Sequence, residues 1–313
     1  MPDLEDLDAL AAPHLGESGA VIVAIGGGSV LDAGKVLAAR IAAGPSKQLR
    51  DLLDGPASIP VSKRPRLLLL PTTAGSGSEV TPFATIWDRV EGVKRSLAGD
   101  ALWPTVALVD PDLSDSLPPG PTLVSGLDAL NQALESVWNR QASPATLAFA
   151  LRAAGLAWHA LPRALEERPP AAVRGAMAEA ALLAGLAISQ TRTALCHALS
   201  YPLTLEYGVP HGVACAFTTA AVARHVLPAD DGRLERVAHC LLGAGARAGE
   251  LPDALDAYVD RLGVRARVRE ALGSLDALLS LVPLAAASER AGNLVRAADA
   301  HAIERVLVAS WGS

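Results

Sequence analysis

Residues 20–43 read AVIVAIGGGSVLDAGKVLAARIAA, and this order of apolar run, glycine turn and periodic segment decides the fold. Ala20–Ile25 is an unbroken apolar stretch, as expected for a strand buried on both faces. Gly26, Gly27, Gly28 and Ser29 end it, and Val30–Ala43 then carries apolar residues at helical spacing. Leu67–Leu70, ending in Pro-Thr, and Thr105–Val109, ending in Asp110-Pro111, repeat the strand pattern. Strand, turn, helix and strand in that order imply a parallel sheet. Ala84–Asp88 and Lys94–Ala98 flank Glu91-Gly92 and read as a hairpin.

Beyond Pro118-Pro119-Gly120-Pro121 the character changes. From Thr122 onward Ala and Leu dominate at helical spacing, with breaks at Ser143-Pro144, Pro169-Pro170, Gly208–Pro210, Pro228 and Pro252. The expected architecture is α/β followed by all-α, as two domains over residues 1–118 and 119–313.

Composition narrows the function. Half of the 313 residues are hydrophobic and 19% charged, which excludes a disordered chain, and aromatics at 4% require an aliphatic core. The net charge of −6 comes without a basic block, which argues against a nucleic-acid surface. Cys196, Cys215 and Cys240 form an odd, unpatterned set with no disulfide framework and no CxxC metal knuckle. Met1 leads into Asp3, Glu5 and Asp6, unlike a signal peptide, and the longest apolar run, Ala171–Ile188, is broken by Arg174 and Glu179. A cytoplasmic protein is expected.

Four stretches carry chemistry. Gly26-Gly27-Gly28-Ser29, followed by Asp32 and Lys35, stands where a strand gives way to a helix. Backbone without Cβ approaches a phosphate closely, and helix N-terminal N–H groups attract anions; a tight turn with Ser29 as N-cap is the plainer alternative. Residues 71–79, PTTAGSGSE, gather four hydroxyls after the second strand, at the sheet end where open α/β folds bind ligands. The loop lacks the Gly-Lys-Ser/Thr of a Walker motif. In the helical half, Asp128 and Gln132 share a helix face, while His197 and His211 come from two further segments. A carboxylate and two imidazoles suit a divalent transition metal, although each alone also fits a dipole partner, a core histidine or a turn cap.

Together GGGSVLDAGK (26–35), PTTAGSGSEVTPF (71–83), GLDALNQALES (126–136) and HALSYPLTLEYGVPHG (197–212) resemble the iron-containing (group III) alcohol dehydrogenase family. The resemblance implies a Rossmann-like NAD(P) domain and a helical metal-binding domain, the dehydroquinate synthase-like superfold. Carried across, Gly27, Gly28, Ser29 and Asp32 would hold the pyrophosphate and neighbouring ribose. Thr72, Thr73, Ser76 and Ser78 would line the nicotinamide side, and Lys94 would reach the cofactor ribose. Asp128, His197 and His211 fall on three of the four family ligand positions, and Gln132 on the fourth in place of the usual His. An amide oxygen is a weaker ligand than imidazole, so metal choice is expected to shift among iron, zinc and other divalent ions.

Two more departures follow from the same comparison. Tyr201 replaces a second cleft histidine, and with the surrounding motifs this looks like the phosphonoacetaldehyde reductase-like branch. There a cation precedes the metal-histidine segment, and Arg192 occupies that place; its planar fork suits phosphonate or carboxylate oxygens, and a solvated helix residue is the alternative. Family members also carry two strand–helix units ahead of the glycine turn, where this chain has only Met1–Gly19. This predicts an N-terminally shortened Rossmann-like sheet with an interior strand turned into an edge. Truncation, strands supplied by a partner and decayed cofactor binding are the three readings of that shortening.

The implied activity is metal-dependent, NAD(P)-linked reduction of a small, anionic aldehyde or oxidation of the matching alcohol, with Tyr201 passing a proton through water. A dehydroquinate synthase-like lyase and a non-catalytic paralogue with weak cofactor binding are the alternatives. Small-molecule substrate, no nucleic acid, no membrane and a homodimer are the expected partners.

Overall fold

The run after Ala20 forms β1 (Val21–Gly26), paired in parallel with β2 (Arg66–Pro71), which pairs in parallel with β5 (Val106–Ala107). A hairpin of β3 (Phe83–Asp88) and β4 (Val93–Ala98) forms a separate antiparallel sheet. The computed structural model describes residues 3–17, 19–53 and 59–312, which divide into two compact units, Met1–Ser116 and Leu117–Ser313.

In the first unit α2 (Gly28–Ala43) returns from β1 and packs on one sheet face, where Ala24, Leu31, Ala38, Leu67 and Leu69 are buried together. Gly34 makes that approach possible, since a Cβ there would lie 2.8 Å from that of Ala24. The far side of α2 buries Val36 and Ala39 against Leu4 and Leu7 of α1 (Leu4–Ala11), Leu49 and Leu52 of α3 (Leu49–Leu53), and Ala84, Ile86 and Leu97 of the hairpin. Each fully buried Leu contributes roughly 1.5–3 kcal/mol relative to an exposed one.

Three details differ from the sequence expectation. β1 is not buried on both faces: Val21, Val23 and Ile25 are 54%, 54% and 55% exposed, because α2 covers only the face that carries Ala24. β1 is an edge of the sheet among the described residues. The third strand shrinks to Val106–Ala107, although the Thr105 and Leu108 N–H groups on either side still donate to the Leu67 and Leu69 carbonyls of β2. Finally, α2 starts at Gly28 with Gly27 as N-cap, so Ser29 lies in the first turn and caps nothing.

The second unit is built on α4 (Pro119–Val137), packed by α5 (Pro144–Ala164), α6 (Ala171–Thr191) and α8 (His211–Val226). Pro119 sits at the first helical position, where its missing N–H costs nothing, and Ser143 and Thr146 form a capping box on α5. α7 (Leu195–Tyr207) lies against α8, and shorter helices run from Arg233 to Trp311. By length and composition α6 could cross a bilayer, despite Arg174 and Glu179. Half of its apolar window is buried in this unit, and Arg174 donates to Thr122 Oγ1 and the Leu117 carbonyl.

Every residue of α4 from Gly126 to Val137 is buried, including Asp128, Asn131, Gln132, Glu135 and Ser136. Buried polar groups on this scale require partners. Those partners make the site.

Candidate metal centre and nucleotide-binding turn

In the first unit the two predicted loops meet. The Thr72 N–H donates to the Gly26 carbonyl, a Cβ on Gly27 would touch Thr73 at 3.4 Å, and one on Gly28 would lie 2.6 Å from Ser76 Oγ. Gly28 is therefore required for this approach, whereas a Cβ on Gly27 would make only an ordinary contact. Among the described residues the N-cap Gly27 makes no side-chain capping bond, so α2 begins in a glycine cradle, a combination that suits a phosphate.

Asp32 and Ser78 fasten the loops from behind: Ser78 Oγ donates to Asp32 Oδ1 at 2.6 Å, and the Thr85 N–H donates to Asp32 Oδ2 at 2.9 Å. Burial raises the Asp32 pKa against the opposing pull of Lys35. Lys35, fully buried, donates to Thr81 Oγ1 at 3.0 Å and the Phe83 carbonyl at 2.9 Å, and burial lowers it to about 8. Ser29 is exposed beside the cradle, while Lys94 lies half-buried on the hairpin opposite Trp87.

In the second unit, Asp128, His197, His211 and Cys215 each offer one ligand atom, all within 4.8 Å of one another. Glu135, fully buried on α4, accepts from His197 Nδ1 at 2.7 Å and from the backbone N–H groups of Ala194, Cys196 and His197 at 2.8, 2.5 and 3.4 Å. These bonds fix the start of α7, and they leave His197 Nε2 facing Asp128 Oδ1 at 3.2 Å. Ser200 does the same for His211. Its hydroxyl donates to the His197 carbonyl at 2.9 Å, so it accepts from His211 Nδ1 at 3.2 Å. His211 Nε2 then faces Asp128 Oδ1 at 3.8 Å and Cys215 Sγ at 3.8 Å.

With each Nδ1 held by Glu135 or Ser200, both Nε2 atoms thus aim at a carboxylate and a sulfur. Converging lone pairs need a proton or a cation among them, and this donor set fits a divalent metal. Protons take that place in its absence: burial opposes charge on His197, but Cys215, Glu135 and Asp128 outweigh it and raise its pKa well above the usual value. For Cys215, burial raises and the two histidines lower the thiol, leaving it at about 7. Asp128 and Cys215 are buried, whereas His211 keeps 32% of its side chain exposed and marks the open side.

Gln132, one helical turn from Asp128, donates its NH2 to that carboxylate, and its buried Oε1 takes no part in the bond. Cys215 and Glu135 were not singled out from sequence. The available signals were the i,i+4 spacing of His211 and Cys215, and a charged residue inside an otherwise buried helix.

Beside this cluster the Tyr201 ring stacks on His211 with centroids 5.9 Å apart, and the Arg290 guanidinium lies over Tyr201 at 5.0 Å. Arg290 Nε donates to Thr193 Oγ1 at 3.2 Å. Arg192 ends α6 with φ 62° and ψ 177°, the sole positive-φ residue other than glycine among the described residues. Its carbonyl accepts from Thr191 Oγ1 at 2.9 Å and Asn139 Nδ2 at 3.3 Å, which hold that backbone in place. Desolvation lowers the Arg192 pKa, and repulsion from Arg290 adds to it.

Two family models match: iron-containing alcohol dehydrogenase over residues 1–111, and Fe-containing alcohol dehydrogenase family, C-terminal, over residues 122–311. The chain belongs to the iron-containing alcohol dehydrogenase family. The resemblance read from its motifs is borne out. The phosphonoacetaldehyde reductase of Streptomyces viridochromogenes is 40% identical over 216 residues, 67% of this chain and 55% of that protein. The 1-propanol dehydrogenase of Salmonella typhimurium is 36% identical over 204 residues, 65% of this chain and 51% of that one. The chain thus spans little more than half the length of these relatives. The sulfoacetaldehyde reductase from Bifidobacterium kashiwanohense, solved in complex with NAD+, superposes with a TM-score of 0.87 at 29% identity, covering 100% of this chain and 81% of that one. An iron-containing alcohol dehydrogenase from Thermotoga maritima gives 0.83 at 28%, with 100% and 81% covered. The fold of this family member is therefore the expected parallel sheet followed by a helical domain.

Proposed function

We propose that the chain is an NAD(P)-linked, metal-dependent reductase of a small aldehyde with an anionic tail, also able to oxidise the matching primary alcohol. The observation that carries this reading is the convergence of Asp128, His197 and His211 beside Tyr201 and the Arg290 guanidinium that lies over it, with Arg192 near enough to feel Arg290. Relatives named for phosphonoacetaldehyde and sulfoacetaldehyde support the anionic class.

Asp128, His197 and His211 would hold the metal. Gly27, Gly28, Ser29, Thr72, Thr73 and Ser76 would hold the cofactor, with Asp32 and Ser78 bracing the two loops from behind and Lys94 on the hairpin reaching the ribose. When bound, a divalent ion supplies a Lewis acid for the carbonyl oxygen and the nicotinamide supplies the hydride. Glu135 and Ser200 keep both imidazoles in the ligating tautomer. Tyr201, flat against His211, would pass the proton through water. Arg192 and Arg290 would clasp the phosphonate, sulfonate or carboxylate through charge-assisted hydrogen bonds.

The test is NADH and NADPH consumption with phosphonoacetaldehyde, sulfoacetaldehyde and propionaldehyde, before and after chelation and metal return. Chelatable, one-to-one consumption that favours the anionic aldehydes is expected. Equal or better rates with propionaldehyde would overturn the substrate class. Turnover without net NAD(P)H loss would favour the lyase, which regenerates its cofactor.

A further inference from the structure

The sequence leaves the fourth ligand position to Gln132, a neutral amide. In the structure the Gln132 NH2 is engaged with Asp128 while its buried Oε1 stays out of that bond, and a softer donor reaches the centre from α8. Cys215 lies one helical turn after His211, so both project from the same face of α8. Its sulfur is 3.8 Å from His211 Nε2, it hydrogen-bonds His197, and it joins Asp128 within the 4.8 Å cluster.

Those separations are close to what coordination requires. A tetrahedral ion with bonds of roughly 2.0–2.1 Å to N or O and about 2.3 Å to S has donor–donor edges of roughly 3.3–3.5 Å. The observed 3.2 Å (His197 to Asp128), 3.8 Å (His211 to Asp128) and 3.8 Å (His211 to Cys215) bracket that value, and every pair lies within 4.8 Å, so side-chain rotations would close the set. Gly212 fixes the approach of the two helices: a Cβ there would collide with the Val124 carbonyl and lie 3.0 Å from the Asp128 nitrogen. The other buried thiol, Cys196, is not part of the four-residue cluster.

We infer that Cys215 is the fourth protein ligand, giving an Asp–His–His–Cys centre that selects zinc over iron. The inference rests on a metal being bound at this cluster, as proposed above. Coordination takes the thiolate and neutral imidazoles, so the thiol proton and any proton held on the histidines pass to solvent. A thiolate adds charge and softness that an amide or a third imidazole lacks, and zinc is the abundant divalent ion that prefers it. Substrate oxygen would enter from the half-exposed His211 side as a fifth ligand, a coordination that zinc accepts.

The experiment loads the metal-free full chain with Co2+ and records its absorption spectrum, alongside Cys215→Ser, Cys215→Ala and Cys196→Ser. A near-ultraviolet sulfur-to-cobalt charge-transfer band is expected in the wild type and in Cys196→Ser. It should vanish in both Cys215 variants, with zinc affinity lowered by roughly tenfold or more, as for other lost metal-site groups. Cobalt bound with d–d bands but no thiolate band would overturn Cys215 as ligand and leave the Asp–His–His reading standing. A thiolate band that survives in both Cys215 variants and disappears in Cys196→Ser would also overturn it. No cobalt bound at all would overturn the metal centre itself. Circular dichroism of each variant establishes that a lost band reflects a lost ligand rather than a lost fold.

Discussion

Replacing Glu135 with Gln changes one oxygen of a fully buried carboxylate into an NH2 and alters the volume hardly at all. The carboxylate now accepts from three backbone N–H groups and from His197 Nδ1. If the NH2 replaces Oε1, the Cys196 and His197 N–H groups each lose their acceptor. A buried donor left unsatisfied costs roughly 1–3 kcal/mol, so apo stability falls by about 2–6 kcal/mol. If it replaces Oε2, Ala194 N–H is orphaned and the amide donates to His197 Nδ1. The imidazole proton then moves to Nε2, where it occupies the lone pair aimed at Asp128. Either orientation damages the centre. Metal affinity should fall about 10- to 100-fold, or roughly 1.4–2.8 kcal/mol. Urea unfolding of the metal-free protein reads the first quantity, and competition against a chromophoric chelator reads the second. Unchanged midpoint and unchanged affinity together would refute the claim that this carboxylate sets both the start of α7 and the ligand tautomer.

Other perturbations probe different contacts. Gly212→Ala should destabilise the helical unit by about 1–3 kcal/mol or more and release metal, since the Val124 carbonyl is backbone and cannot yield; thermal melts with metal analysis decide it. Lys35 holds a pKa of about 8 in the fold against 10.5 ordinarily, so between those values the unfolded chain carries the extra proton. Its contribution to stability therefore rises with pH across that window, by about 3 kcal/mol in all, and Lys35→Met should flatten the rise of the urea midpoint from pH 8 to 10.5. Arg192→Gln and Arg290→Gln should each raise KM for an anionic aldehyde roughly 10- to 100-fold and leave a neutral aldehyde nearly unchanged; a uniform change in both would assign the arginines to structure.

Local signals served the sequence reading well where one segment contained the whole pattern. The apolar run before Gly26 and the periodic segment after it specify β1 and α2 within two residues, and prolines mark the starts of α4, α5 and α6. Burial was harder, because the outer face of β1 depends on what packs there, and periodicity cannot show it. In the site, Asp128 and the two histidines stood out as the residue types metals use. Cys215 did not, since a single thiol in VACAFTT is indistinguishable from an ordinary small core residue. Glu135 lies three residues past Gln132 on the same helix, yet only the fold of α7 over it reveals its four donors. Arg290 reaches the site from 98 positions beyond Arg192, a separation that no local motif spans.

The backbone at Arg192 has a practical consequence for anyone selecting hardier variants. Its torsions lie in a region that glycine occupies freely and other residues enter at a cost of roughly 1–3 kcal/mol. A screen that scores survival of heating alone will therefore drift toward glycine at this position and raise the melting temperature. The guanidinium proposed to clasp charged substrates would go with it, so endurance and discrimination would have to be scored together.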